Sequence, residues 1–160
     1  MLSVQLICVG KLKERFYSDA VKEYAKRLGV FCRLELIELP EERLGDRPSD
    51  AEIESALERE AQQIEKKLKR DGTLVCLCVE GIQMDSESFS KLLSDAEQSG
   101  RPRISFVIGS SYGLSPRIKN MADLRLSMSK MTFPHHLARV MVLEQLYRAE
   151  AIQAGSKYHK

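Results

Sequence analysis

Residues 73–108, TLVCLCVEGIQMDSESFSKLLSDAEQSGRPRISFVI, decide the fold, because two almost continuously apolar runs flank a segment with helical character. The runs at 73–79 and 103–108 are typical of strands that are covered on both faces, as in the centre of a parallel sheet. The segment between them predicts a helix at 86–98. This alternation is the signature of an α/β layered domain.

The rest of the chain repeats the alternation on both sides of this stretch. Further strands are predicted at 3–9, 33–39 and 124–129, and further helices at 15–28, 50–70, 116–122 and 134–153. The second and fifth strands alternate polar and apolar residues, which indicates a less buried position. Ser49 to Glu52 has the pattern of a capping box, and Ser115-Pro116 places a cap residue before a proline. We predict one α/β domain over residues 1–160, with a mostly parallel sheet covered by helices.

Composition sets limits on the chemistry. The chain has 160 residues and a net charge of +2, so RNA binding would need a local basic surface, and the global charge neither supports nor excludes it. Its four cysteines form no C-x-x-C pair, and only three histidines could join them. We therefore expect no metal site, and we interpret the thiols as core side chains in a reducing compartment.

No segment has the pattern of a targeting or membrane sequence. The first apolar run, residues 3–9, lacks a basic leader and a cleavage site. No stretch approaches the roughly 20 apolar residues that cross a bilayer. We expect a cytoplasmic protein without a membrane partner.

Three segments follow directly after predicted strands, where open α/β sheets bind their ligands. They are residues 77–81 (LCVEG), 107–114 (VIGSSYGL) and 128–136 (MSKMTFPHH). The glycine turn in the second segment lets a ligand approach backbone N–H groups, but it lacks the G-x-G-x-x-G spacing of a dinucleotide site. By itself, such a turn more often only joins a strand to a helix.

The last helix and the tail leave alternatives open. Residues 140–143 (VMVL) are apolar on every side of the helix, which fits packing against the sheet and a second subunit, or a central core helix. Arg139 is spaced to reach His135 or His136, although capping and solvation also explain these residues. The ending Lys157-Tyr158-His159-Lys160 has side chains that can bind phosphate, stack on a base or move a proton, yet terminal tails are usually frayed.

Several of these segments together resemble one known family. VQLICVGKLKERF at 4–16, VEG at 79–81, IGSSYGLS at 108–115, the run LSMSKMTFPHHLARVMVLEQLYRA at 126–149 and the ending YHK are similar to the ribosomal RNA large-subunit methyltransferase H family. The resemblance covers essentially the whole chain. It implies a SPOUT-type α/β domain with a C-terminal trefoil knot, which pattern reasoning would not propose because chains are rarely threaded.

The same resemblance implies the activity. Members bind S-adenosylmethionine in the knot, act as homodimers and methylate N3 of a pseudouridine in large-subunit ribosomal RNA on the assembled ribosome. The family's cofactor contacts fall on eight positions: Leu77, Gly109, Met128, Ser129, Lys130, Met131, Thr132 and Phe133. Because the imide proton of pseudouridine must leave, Arg139, Tyr158 and His159 are the candidate catalytic residues.

The sequence departs from the family's pattern at one position, and three alternative functions remain open. Where the family usually has two adjacent glycines, this chain has Gly109 and Ser110. Ser110 would perturb the pocket if that position needs a positive φ or a close approach of the cofactor, and we expect the serine to be tolerated. The alternatives are a knotted methyltransferase acting on transfer RNA, a flavodoxin-like binding module, and a ribosome-associated protein with a degenerate pocket. DNA is not an expected partner.

Overall fold

The strands of the computed structural model, which describes all 160 residues, are all parallel and form one sheet. They are β1 (Ser3–Val9), β2 (Arg33–Leu39), β3 (Thr73–Ile82), β4 (Arg103–Ile108) and β5 (Leu124–Leu126). The strand order is β2-β1-β4-β3-β5. This confirms the predicted fold class: β4 is central, β3 lies between β4 and β5, and the alternating strands β2 and β5 form the two edges.

Five helices cover both faces of the sheet. They are α1 (Arg15–Leu28), α2 (Asp50–Lys67), α3 (Ser86–Gln98), α4 (Pro116–Met121) and α5 (His135–Gln153). One core cluster joins one face of β1 and β4 to α1, α3 and α5, and a second joins the opposite face to α2 and α4. The result is a three-layer α/β/α domain with its ligand edge at the carboxyl ends of the strands. None of the helices combines the length and the apolar character that crossing a membrane requires.

The predicted helix caps form as expected. The Ser49 side chain accepts a hydrogen bond from the Glu52 backbone N–H at 3.1 Å, and the Glu52 carboxylate accepts one from the Ser49 N–H at 3.2 Å. Ser115 caps α4, and Pro116 is its first residue. These caps satisfy N–H groups that a helix start otherwise leaves without partners.

Three predicted boundaries, the ends of α2, β3 and β5, were wrong by three residues. Helix α2 ends at Lys67 rather than residue 70, because Leu68 turns into extended backbone and is buried. Strand β5 ends at Leu126 rather than 129, whereas β3 continues to Ile82 through a register shift. A Cβ at Gly81 would lie 2.6 Å from the Arg125 carbonyl oxygen, so this close approach of the two strands requires glycine. At two other helix ends, α4 stops at Met121 and α5 starts at His135, each one residue inside the predicted range.

Glu150 of α5 gives a pH-dependent prediction. Its side chain is buried, and its carboxylate has no hydrogen bond or ion pair within the chain. Burial, together with the nearby charge of Glu97, raises the pKa of Glu150 from 4.5 to about 7. A raised pKa stabilises the fold when the carboxyl is protonated, and this contribution is lost as pH rises from about 4.5 through about 7.

We therefore expect Glu150→Gln to raise the melting temperature at pH 8 by roughly 5 °C, on the order of 2 kcal/mol, and to change it little at pH 5. Thermal unfolding of both proteins at the two pH values measures this difference. Glu54→Gln, at an exposed position on α2, is the control and should shift neither value. Equal stabilisation at both pH values would mean that the carboxyl is not the titrating group.

Candidate functional site

A cavity of about 740 Å³ opens at the carboxyl ends of β3, β4 and β5. Its size lies within the range of small-molecule sites. The three strand-end segments singled out in the sequence meet there and supply most of its lining. From β3 come Leu77, Cys78, Val79 and Glu80; from the glycine turn, Ile108 to Leu114; and from the last connection, Leu126, Met128, Ser129 and Met131 to His135.

The cavity contains seven of the eight predicted cofactor contacts. They are Leu77, Gly109, Met128, Ser129, Met131, Thr132 and Phe133. Lys130 does not line the cavity. The structure thus brings together residues that lie more than 50 positions apart in the chain, and it adds three lining residues from outside the three segments, Lys119, Leu126 and Ala138.

The glycine turn is closed by its own backbone. The Gly113 N–H donates to the Ser110 carbonyl at 2.8 Å. A Cβ at Gly109 would lie 2.2 Å from the Gly113 carbonyl oxygen, so no other residue fits this position without moving the turn. The turn holds its backbone against the cavity as a compact loop.

Ser110 does not disturb this turn, although the sequence raised that concern. No residue other than glycine has a positive φ, so Ser110 adopts an ordinary conformation. Its side chain is buried, and its hydroxyl donates to Glu60 Oε1 at 2.8 Å. A serine therefore fits at this position, because the Glu60 carboxylate on α2 accepts the hydrogen bond of its hydroxyl.

The connection between β2 and α2 contacts the same turn through a second carboxylate. Glu41 Oε1 accepts hydrogen bonds from the Ser111 hydroxyl at 2.8 Å and from the Ser111 N–H at 3.4 Å. Glu41 Oε2 also lies 3.8 Å from His135 Nε2, which is buried and has no hydrogen-bond partner. Burial lowers the pKa of His135, and its ring is therefore neutral at pH 7.

Arg139 lies in the interior rather than on the helix surface. The residue is 5% exposed. Its Nη1 donates to Glu38 Oε2 at 2.6 Å, and its Nη2 donates to the Gly10 carbonyl at 2.7 Å. It does not line the cavity, and it makes no hydrogen bond to His135 or His136. Surface solvation was the wrong interpretation for this residue, which joins α5 to the ends of β1 and β2.

The tail packs against the helices of its own chain instead of projecting freely. The Tyr158 ring lies 4.8 Å from the Tyr147 ring, and its hydroxyl donates to Glu144 Oε1 at 3.1 Å. Burial and the Glu144 carboxylate raise the pKa of Tyr158 to about 12. The phenol is therefore protonated at neutral pH and serves as a donor.

His159 is held from both sides. Its Nδ1 lies 3.2 Å from Arg148 Nη1, and its Nε2 lies 2.8 Å from Glu87 Oε1. Because a guanidinium only donates, Nδ1 accepts from Arg148 and the ring proton lies on Nε2, where it is donated to Glu87. Neither Tyr158 nor His159 lines the strand-end cavity, and Arg139 does not either, so one chain places none of the three candidate catalytic residues in that cavity.

Glu60 and Glu41 are the site-forming residues that sequence reasoning missed. Glu60 is 5% exposed and follows Ala56 by four positions, as Ile64 follows Glu60. This spacing places a carboxylate on the buried stripe of α2, which is the signal that could have identified it. Glu41 carries no such signal, because it lies in a connection without periodicity.

Comparison with known proteins gives full-length matches. Residues 2–159 match the family described as "Predicted SPOUT methyltransferase". A Streptococcus equi subsp. zooepidemicus protein named ribosomal RNA large subunit methyltransferase H is 47% identical over 159 residues, which covers 99% of this chain and 100% of that protein. A protein of the same name from Streptococcus sanguinis is 45% identical with the same coverage.

Solved structures show the same fold at low sequence identity. A structure described as a probable methyltransferase from Bordetella pertussis has a TM-score of 0.60 at 14% identity, and it covers 93% of this chain and 95% of that one. A structure described as a probable methylase family protein from Haemophilus influenzae has a TM-score of 0.56 at 15% identity, and covers 100% of this chain and 72% of that one.

Proposed function

Since this chain belongs to the SPOUT methyltransferases and, among them, to the ribosomal RNA large subunit methyltransferase H family, we propose that it methylates large-subunit ribosomal RNA with S-adenosylmethionine as donor. In finer detail, we propose that the acceptor is N3 of a pseudouridine and that the substrate is the assembled ribosome in the cytoplasm. The observation that carries the proposal is the meeting of three family-matching segments in one ligand-sized cavity.

The residues of the cavity fit the donor. About half of the lining residues are apolar, and the glycine turn and the connection between β5 and α5 supply most of the lining. The apolar part suits the uncharged portions of a nucleoside, and the backbone N–H and carbonyl groups suit its polar edges. We propose that these same connections form the trefoil knot that the family implies.

The bound donor supplies an activated methyl group on a sulfonium sulfur. The chain's own task is then to align that group with the attacking nitrogen and to exclude water. Leu77, Met128 and Phe133 provide an apolar wall for this purpose, and the closed glycine turn fixes one side of the cavity. Positioning of this kind contributes most of the rate enhancement in our proposal.

The imide proton of the acceptor base needs a partner, and we assign this role to the tail. Tyr158 stays protonated and donates a hydrogen bond, whereas Nδ1 of His159 is the atom that accepts a proton once it leaves Arg148. Because neither residue lines the cavity of its own chain, the tail acts in the cavity of a second copy. This requires a homodimer, and the partly exposed apolar residues Val140 and Met141 of α5 are available for its interface.

Arg139 takes a different role in this scheme. Both of its terminal nitrogens are bonded to Glu38 and Gly10, so it is not free to contact RNA. We propose that it positions α5, whose first residues His135 and Ala138 line the cavity. It is therefore a positioning residue rather than a catalytic one.

A labelling experiment tests the substrate. The purified protein and labelled S-adenosylmethionine are incubated with intact ribosomes that lack the modification, with free ribosomal RNA and with transfer RNA. We expect label in N3-methylpseudouridine with intact ribosomes and at least about tenfold less with either free RNA, because recognition needs contacts of the assembled particle. Nucleoside mass spectrometry identifies the product. Label in transfer RNA alone would exclude the ribosomal substrate.

A further inference from the structure

We propose that Glu60 is a positioning residue that ties two separate segments into one wall of the cofactor cavity. Its carboxylate binds the glycine turn through Ser110 and the β2–α2 connection, residues 40–48, through Glu42. The inference rests on the proposed function only in taking the ligand of the cavity to be S-adenosylmethionine. It assigns a role in cofactor affinity to a residue that lines no part of the cavity itself.

Each oxygen of the carboxylate has its own donor. Oε1 accepts from the Ser110 hydroxyl at 2.8 Å, and Oε2 accepts from the Glu42 backbone N–H at 2.9 Å. Burial raises the pKa of Glu60, and both hydrogen bonds act against that effect. A buried carboxyl with two donors on two chain segments acts as a bridge between them.

A second set of contacts lies beside this bridge, on its solvent-exposed side. Glu41, the residue before Glu42, binds Ser111, the residue after Ser110. Arg59, the residue before Glu60, lies 3.2 Å from the Glu42 carboxylate. Residues 41 and 42 of the connection are thus joined to residues 111 and 110 of the turn, the second pair through Glu60. Glu60 is the only buried carboxylate among these contacts. Loss of its two acceptors should loosen both segments at once.

A matched pair of variants separates hydrogen bonding from packing. Glu60→Met keeps a similar volume but leaves the Ser110 hydroxyl and the Glu42 N–H without an acceptor. Glu60→Gln keeps an oxygen for the Glu42 N–H, and its amide N–H can donate to the Ser110 hydroxyl oxygen. Glu58→Met is the control, because Glu58 lies on the same helix but pairs with Arg117 of α4.

Three measurements are made on each variant of the full chain. Isothermal titration with S-adenosylmethionine should give a dissociation constant raised roughly tenfold in Glu60→Met and changed less than about threefold in Glu60→Gln and Glu58→Met. The turnover number at saturating cofactor should stay within about twofold of the parent protein. Amide exchange without ligand should accelerate at residues 40–48 and 109–113 in Glu60→Met alone, most of all at the Glu42 amide.

Each contrary result overturns the proposal. An unchanged cofactor affinity in Glu60→Met, or faster exchange over the whole chain, would reduce Glu60 to a general stability role. Equal damage from Glu60→Gln, which keeps the shape and one hydrogen bond to each segment, would show that hydrogen bonds bridging the two segments do not suffice to hold this wall. If the parent protein failed to bind S-adenosylmethionine, the proposed function would fall, while the exchange data would still decide whether Glu60 ties the two segments.

Discussion

Deletion of Lys157 to Lys160 should abolish methyl transfer and leave the affinity for S-adenosylmethionine nearly unchanged. The deletion removes Tyr158, the proposed hydrogen-bond donor to the base that is methylated, and His159, the proposed acceptor of that base's proton. Neither side chain lines the cavity. Loss of a positioned proton acceptor typically costs 100-fold or more in rate. We expect at least a roughly 100-fold lower turnover number, measured with labelled cofactor and ribosomes, and a dissociation constant within about twofold of the parent value.

The single variants His159→Ala and Tyr158→Phe divide the effect between the two side chains, and Lys160→Ala serves as the control in the same tail. Full activity of the deletion variant would remove the tail from the mechanism. A large loss of cofactor affinity would instead indicate that the tail supports the fold of the pocket.

The largest effect on cofactor binding is expected from Gly109→Ala. The new Cβ would lie 2.2 Å from the Gly113 carbonyl oxygen and 2.4 Å from its carbonyl carbon, far inside van der Waals contact. Because both neighbours are backbone atoms, the turn itself must move away. We expect the affinity for S-adenosylmethionine to fall at least roughly 100-fold and the free energy of unfolding to fall by about 2 kcal/mol.

Calorimetric titration and denaturant unfolding measure the two quantities. Gly45→Ala is the matched control, since a Cβ there meets no atom within 4 Å and the residue lies outside the cavity. Near-parental affinity in Gly109→Ala would show that the turn does not contact the cofactor.

Mixing these two defective proteins tests the dimer directly. In a heterodimer of the two variants, the chain without the tail keeps an intact cavity, and the Gly109→Ala chain keeps an intact tail. If the tail acts in the partner's cavity, activity returns on mixing. If it acts in its own, the mixture stays inactive.

Much of the fold could be predicted because its signals are local. Strands β3 and β4 are continuous apolar runs, and Ser49 and Ser115 mark two helix starts with their own side chains. The boundaries that were wrong by three residues, at the ends of α2, β3 and β5, lie where these elements meet distant segments. Leu126, the last residue of β5, pairs with Ile82 of β3, 44 positions away in the chain, and no local pattern records this pairing.

The site was predictable only in part for the same reason. The segments after the strands were identifiable because parallel strands end at one edge, and seven of eight expected contacts lie in the cavity. For Arg139 the sequence left a catalytic role and surface solvation open, because its partners, Glu38 and the Gly10 carbonyl, lie about 100 or more positions away in the chain. Glu60 and Ser110 are 50 positions apart, and only the folded layers bring the carboxylate to the hydroxyl.

The strand order also determines when this protein can fold during its synthesis. Strand β1 is made first, but its inner neighbour is β4, with Ser3 opposite Arg103 and Cys8 opposite Ile108. Until residue 108 has left the ribosome, β1 can pair only with β2, and two strands alone are marginally stable in water. Closing so long a loop is slow. A nascent chain therefore carries β1 without its inner neighbour until β4 has been made, and it completes its sheet only when the segments that build the cavity are themselves being made.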